Sequence, residues 1–275
     1  MNDLFAVSVT GHWGAVVIYI AAFIFNVTGH IFDKEKARQL SVKIAAAGLI
    51  LHGGVLIYWW SVTGHGPYMA RHEVLSSDAW VLMATFLLFC RKFPRLKPAA
   101  LVAFPSTFLM TALALFSAPE IHNLPPTLRS IWLVIHVLFY KIAFGTLVIS
   151  LALAIVFLLK KHRNVSWLDR FPDASDADLL SYRFAGFGFT FWATGMLAGS
   201  IWAYQSWGRF WGWDPVETWS LITWGVMGIY LHLRRFFNWR EEKAAGLLFA
   251  AFVVAVAAKF LTPLLSSSIH SEYFK

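Results

Sequence analysis

Cysteine is nearly absent. The single one, Cys90, sits in an apolar run beside Arg91, so this chain cannot perform dithiol redox chemistry alone or build a Cys-rich metal site. Charge is equally scarce: 14% of the 275 residues are charged and 58% are hydrophobic. There are no internal repeats, no low-complexity tracts and no stretch long enough for a separate soluble domain. The first apolar run lacks a basic flank and a small-residue cleavage site, so it reads as a retained span and not as a removed signal.

What is present is a series of apolar runs near 20 residues long, each able to cross a hydrocarbon core of about 30 Å. They predict an all-α, polytopic integral membrane bundle of about eight spans in one membrane domain, 1–275. The spans fall near 13–31, 41–60, 78–91, 99–117, 130–159, 184–203, 217–236 and 244–264. The net charge of +8 suggests nucleic-acid affinity only until it is mapped onto the loops. One set of loops holds Lys34, Lys36, Arg38, Lys43, Arg91, Lys92, Arg95, Lys97, Lys160, Lys161, Arg163, Arg170, Arg183, Arg234, Arg235, Arg240 and Lys243. The opposite set holds Arg71, Arg129, Arg209 and Lys275. Positive charge resides inside, which predicts both termini outside and no nucleic-acid partner.

Three substantial loops then face outward: 61–77, 118–129 and 204–216. The inner loop 160–183 reads as a solvated connector. Ser77 or Asp78 is expected to cap the third span, and Pro125-Pro126-Thr127 to precede the fifth. Asp214-Pro215-Val216-Glu217 is an N-cap, a Pro at the first helical position and a Glu at the third, the start of the seventh helix.

The densest chemistry lies at 202–224, WAYQSWGRFWGWDPVETWSLITW, which holds six of the fourteen Trp: Trp202, Trp207, Trp211, Trp213, Trp219 and Trp224. An anchoring belt would spread such rings over several helix ends. Here Trp207, Trp211 and Trp213 crowd together, interrupted by Gly208 and Gly212, which allow close backbone approach. Indole faces with a few polar handles suit a large, flat, mostly apolar ligand with charged edges. Arg209 is the natural partner for an acidic edge; Lys141 and Lys259, inside spans, could pair with acidic groups or snorkel.

Of the ten His, His12, His65, His72 and His122 are expected at or near the outer surface, and His162 in the inner loop. His30 lies near the inner end of the first span and His52 near the middle of the second. His136 is about one and a half turns into the fifth helix, and His270 follows the eighth on the same outer side. His232 lies roughly 14 residues, or 21 Å, down the seventh helix towards the inner side. Ionisable groups at such depth are costly and read as functional, and facing neutral imidazoles make an axial pair for haem iron.

WGRFWGWDPVETWSLITWGVMGIYLH resembles the Trp-rich "WWD" signature of the haem-handling proteins of cytochrome c biogenesis. Within them the chain is similar to the CcsA/ResC branch, system II, by its eight spans, His136 before the motif, the helix ending at His232, and the late outer His270. TGHGPYMARHEVLSSDAW is similar to the same branch's outer-loop pattern. The resemblance implies a WWD loop at about 202–219 that binds haem b, with contacts drawn from Trp202, Trp207, Gly208, Arg209, Trp211, Gly212, Trp213, Asp214, Glu217, Trp219 and Trp224. It implies His136 and His270 on the outer haem iron and His232 on an inner one. The second inner ligand would come from a CcsB/ResB-type subunit, with His52 and His30 as internal fallbacks.

The implied activity, within a complex, is that of a holocytochrome c synthase (haem lyase). Haem is presented for thioether attachment to the CxxCH motif of an apocytochrome c. Trp207, Trp211, Trp213 and Asp214 act by positioning, without acid or base, and other proteins reduce the thiols. The implied location is the bacterial cytoplasmic membrane, or a thylakoid equivalent. Val216 departs from the Lys usual after the Asp-Pro. The alternative is a haem-binding membrane chaperone or exporter without synthase activity, CcmC- or HemX-like.

Overall fold

A computed structural model describes residues 2–117, 121 and 123–264, with side chains from residue 5 onward; His122 and His270 lie outside the described residues. Eight α-helices account for most of them: α1 (Asn2–Ile31), α2 (Glu35–Thr63), α3 (Arg71–Lys92), α4 (Ala100–Leu115), α5 (Ile131–His162), α6 (Ala174–Trp207), α7 (Pro215–Phe236) and α8 (Glu241–Val256). Among the described residues, seven helical segments have the length and apolarity to cross a membrane. The expected seventh span, α7, has the length at 22 residues. Its apolarity is diluted by Glu217, Thr218, Ser220, Thr223, Tyr230 and His232. The chain is an all-α, multi-pass membrane protein.

Six of the eight helices are longer than the apolar runs that announce them, while α4 and α8 are shorter. α3 starts at Arg71, because Glu73 reaches back to the free N–H groups of Met69 (3.0 Å) and Ala70 (3.2 Å). Ser77 and Asp78, the expected caps, are instead buried a turn or more inside α3. α6 begins ten residues before its predicted span, so most of the expected inner connector is helix.

The chain forms two compact units. Unit 1 comprises residues 1–123 and 163–173. In it α1 packs on α2 and α4, and α3 on α4. The segment 163–173 is not merely solvated: Leu168 and Phe171 are buried, Phe171 packs edge-on to His30, and Arg170 bridges to Asp33 at 2.9 Å.

Unit 2 comprises residues 124–162 and 174–275, and its backbone is the long α5·α6 pair. Its core gathers Ala143 and Leu147 of α5, Trp192 of α6, Met227 of α7, and Ala251 and Ala255 of α8. At the basic end of the unit, Arg234 makes a two-pronged bridge to Asp178 (2.6 and 2.7 Å) and lies 5.0 Å over the Tyr182 ring. That bridge ties α7 to α6 at the end remote from the Trp-rich loop.

Candidate functional site

The site is built on unit 2 from the α5·α6 contact upward. Gly195 and Gly199 of α6 are four residues apart, the small-xxx-small spacing that lets two membrane helices approach closely. His136 and Tyr140 of α5 fill the notch. A Cβ on Gly195 would stand 2.7 Å from the Tyr140 ring, and one on Gly199 would collide with His136 Nδ1. Within the notch, His136 Nδ1 lies 2.9 Å from the carbonyl oxygen of Gly195. A carbonyl only accepts, so Nδ1 carries the proton and Nε2 carries the lone pair that a ligand would use. A ring nitrogen held to a backbone carbonyl while the other faces a metal is the usual arrangement of a coordinating histidine.

Tyr140 packs edge-on beneath His136, with centroids 4.8 Å apart, and hydrogen-bonds through its hydroxyl to Ser220 Oγ on α7. Trp192 donates its indole N–H to the same Ser220 oxygen at 3.0 Å. Thus the His136 ring rests on a polar bracket that joins α5, α6 and α7. None of Tyr140, Ser220, Gly195 or Gly199 is singled out by the sequence. The glycine spacing is the one available signal.

The Trp-rich loop follows directly. α6 ends at Trp207, where Gly208 adopts a left-handed φ of 72° and its N–H returns to the Tyr204 carbonyl (2.9 Å). Trp202 is buried at 3% exposure and donates its indole N–H to the Thr127 carbonyl at 2.8 Å. Its ring stands 6.1 Å from His136 and 4.9 Å from Trp207, so it is a wall behind His136 and not an open platform. Ser206 joins the same Thr127 carbonyl, and Ser130 hydrogen-bonds Gln205, which pins the segment before α5 to the end of α6.

The open rings are others. Trp213 is 70% exposed, with a left-handed φ of 57°, and meets Trp211 edge to face at 5.9 Å. Tyr204 and Phe210 stack nearly parallel, 4.4 Å and 7° apart, and both are exposed; neither is singled out by the sequence. The exposed Arg209 folds its guanidinium over Gly212. Trp219 is exposed on the second turn of α7, whereas Trp224 stacks on Phe189 at 4.8 Å within the packing of α6 and α7. From Asp214 to Trp224 is about 15 Å of helix, so Trp224 does not join the loop.

Asp214 caps α7 as expected, accepting from Val216 N at 2.9 Å. Glu217 completes the box through one oxygen, Oε2, which accepts from Asp214 N (3.2 Å) and Gly212 N (2.8 Å). The helix start therefore also shapes the loop, because Gly212 is held by a carboxylate on α7.

His232 lies at the opposite end of α7, exposed, with its ring against Phe236 (4.8 Å) and Phe237 (5.7 Å). It follows Ile222, Gly225 and Ile229 at heptad spacing, and nothing lies within 4 Å of a Cβ placed on Gly225. Lys141 is buried in α5, and Lys259 lies over the rings of Phe144 (5.9 Å) and Phe260 (5.5 Å). His12, His65 and His72, expected at or near the outer surface, are all buried within the protein. Among the described residues, no group of three or more His, Cys, Asp or Glu is arranged to hold a bare metal ion. The fixed imidazole of His136 is walled by Trp202 and Tyr140, and the exposed rings and Arg209 lie on the loop that follows α6.

A family model described as Cytochrome C assembly protein matches residues 49–270. Cytochrome c biogenesis protein CcsA of Chlamydomonas reinhardtii is 37% identical over 227 residues, covering 80% of this chain and 64% of its own length. CcsA of Prochlorococcus marinus (strain NATL1A) is 33% identical over 273 residues, covering 87% of this chain and 85% of its own. The chain thus spans less than two thirds of the first relative and most of the second. Among solved structures it is similar to Cytochrome c Heme Lyase CcmF, with a TM-score of 0.69 at 17% identity, over 98% of this chain and 48% of that one. At that identity the likeness is one of fold. With the family model covering most of its length and CcsA proteins aligning along it, the chain belongs to the cytochrome c assembly protein family, among its CcsA-type members.

Proposed function

We propose that this chain is the haem-handling subunit of a system II cytochrome c synthase. It receives haem b within the membrane and presents it at the Trp-rich loop, where the two thiols of an apocytochrome c CxxCH motif add across the vinyl groups. The observation that carries the reading is the hold on His136: its Nδ1 lies 2.9 Å from Gly195 O, which fixes the ring and makes Nε2 the nitrogen suited to iron. The exposed rings of Trp213, Trp219, Phe210 and Tyr204 lie on the loop or the helices that flank it, and supply flat faces for a porphyrin. Arg209 supplies a cation for a propionate.

His270 is assigned to the second axial position from the motif. His232 is assigned to an inner haem. An ionisable ring exposed on an otherwise apolar helix stripe suits a protein partner, and a CcsB/ResB-type subunit supplies the facing ligand. The residues act by positioning: holding one vinyl edge beside the incoming thiols makes a bimolecular addition effectively unimolecular, and no side-chain acid or base is required. Other proteins keep the thiols reduced. The excess of Lys and Arg on one set of loops supports an outward-facing Trp-rich loop in a bacterial cytoplasmic membrane or its thylakoid equivalent.

Co-expression with the partner subunit and an apocytochrome c tests the reading. The product should carry haem that survives acid-acetone extraction, and His136→Ala should abolish it while the protein still inserts and folds. Bound haem with no covalent product, even with the full partner set, would favour the chaperone or exporter.

A further inference from the structure

Unit 1 holds a second concentration of chemistry, which includes the fallback ligands His52 and His30 and on which the proposed outer haem site of unit 2 does not draw. His12 of α1, His52 of α2 and His72 of α3 are 1%, 0% and 1% exposed. Their rings meet edge to face: His12 lies 4.8 Å from His72 and 5.4 Å from His52.

Hydrogen bonding fixes where the protons are in the neutral rings. His12 Nδ1 is 2.8 Å from the Ser8 carbonyl, which cannot donate, so Nδ1 is protonated and Nε2 accepts. Ser76 Oγ, 2.7 Å from that nitrogen, must spend its one hydrogen there. It then accepts from His52 Nε2–H at 2.9 Å. That leaves His52 Nδ1 to accept from the Tyr19 hydroxyl, a long contact at 3.4 Å. From Tyr19 through His52, Ser76 and His12 to Ser8, every donor points the same way. Beside this chain, His72 donates from Nδ1 to the Ala114 carbonyl at 2.9 Å, and its Nε2 is buried without a partner.

Ser8, His12, Tyr19, Asn26 and His30 follow one another on α1 at steps of four, seven, seven and four residues, which keeps them on one helix face. All five are buried. The stripe is about 33 Å long at 1.5 Å per residue, the thickness of a hydrocarbon core. Asn26 donates to Ser41 at 3.3 Å, but Asn26 Oδ1 and His30 Nδ1 are buried without a partner. A polar core that serves only packing satisfies its atoms, because an unmet one is costly in hydrocarbon. Ala22, fully buried on the same face between Tyr19 and Asn26, interrupts the stripe.

We propose that this face of α1 is a proton-transfer path in two segments, of which Ser8–His12–Ser76–His52–Tyr19 is the relay. A hydronium ion gives a proton to the Tyr19 oxygen as the Tyr19 proton passes to His52 Nδ1. The His52 Nε2 proton passes to Ser76, and the Ser76 proton to His12 Nε2. The His12 Nδ1 proton leaves through Ser8 Oγ, 3.5 Å away, to water. One proton enters and one leaves; only O–H and N–H bonds change, and no electron moves. Both imidazoles end in the opposite tautomer, so a return passage must reset them, and the segment shuttles without leaking. Glu73, the carboxylate that acts on His72, is committed to Trp59 Nε1 (3.0 Å) and to the N–H groups of Met69 and Ala70, with His65 at 3.8 Å, and stands outside the relay.

Nitrogen-15 NMR of the full chain, histidine-labelled in lipid nanodiscs, tests the proposal. His12 and His72 should be Nδ1–H tautomers and His52 the Nε2–H tautomer. The His52 N–H should exchange rapidly with D2O despite its complete burial. Ser76→Ala should slow that exchange by about tenfold, the factor carried by one hydrogen bond lost from the path, and leave His72 unchanged. Ser76→Thr, which keeps the hydroxyl, should restore it, and Tyr19→Phe should leave the Ser8-side route intact. Slow exchange at His52 in the unaltered protein, equal rates in Ser76→Ala, or an Nδ1–H tautomer at His52 would each overturn the relay. Haem binding plays no part in this readout, so its outcome is independent of the synthase reading.

Discussion

Gly199→Ala is the smallest change that should disturb the outer site. The added Cβ would collide with His136 Nδ1, and the ring is already held by Gly195 O at 2.9 Å and by the Tyr140 ring beneath it at 4.8 Å. Relief requires either parting α5 from α6 or turning His136 away from its carbonyl. Overpacking of this kind costs about 1–3 kcal/mol, and the lost hydrogen bond about 1 kcal/mol within that. For a chain of this size each kcal/mol lowers the melting temperature by about 2–4 °C. The informative assay is a double-mutant cycle read by thermal unfolding in detergent. In a His136→Ala background the obstacle is gone, so Gly199→Ala should be nearly neutral, with a coupling of about 1–3 kcal/mol. Equal costs in both backgrounds would refute the reasoning, because the new methyl would then be striking something other than His136. Haem content supplies a second readout: Gly199→Ala should lower it even where the protein remains folded.

Glu217→Ala should cost about 2 kcal/mol, since one carboxylate oxygen holds both Gly212 N and Asp214 N. Limited proteolysis should then find the loop between Gly208 and Asp214 more readily cut, and unchanged cleavage would exclude Glu217 as its clasp. Arg234→Ala leaves Asp178 without its two-pronged partner. A fully buried broken pair costs about 3–5 kcal/mol, and because Asp178 is 18% exposed the expected loss is about 2 kcal/mol, measurable as a lower unfolding temperature. Tyr68, in the segment between α2 and α3, has its phenol pKa raised above 10 by burial and by the nearby Glu73 carboxylate. The folded state therefore holds that proton more tightly than the unfolded chain, and its contribution to stability is present below pH 10 and lost as pH rises through the folded value. Tyr68→Phe should remove that part of the alkaline destabilisation in a pH series of melting curves.

Features governed by neighbours along the chain are legible in the amino-acid sequence itself. The apolar runs announce the helices, and Asp214-Pro215-Val216-Glu217 announces the start of α7, because capping is settled within four residues. The helix ends are less legible. α3 begins at Arg71 and not near Ser77 because Glu73 reaches back to the loop, which competes with a plausible cap further on. The surface reading of His12 and His72 fails for another reason: each lies near an apolar run's end, where exposure is the default, and burial comes from partners 40 or more residues away.

The Trp-rich platform can be read as a whole, but the division of labour among its rings cannot. Local pattern alone settles that this chain crosses a membrane as helices, that its basic loops alternate with poor ones, and that aromatic rings crowd just before α7. The tertiary structure decides which nitrogen of His136 carries the lone pair, which Trp is wall and which is face, and which histidines of unit 1 touch. Helix and cap energies are summed over adjacent residues, whereas a tautomer or a ring's exposure depends on one carbonyl or one methyl supplied by a helix distant in sequence.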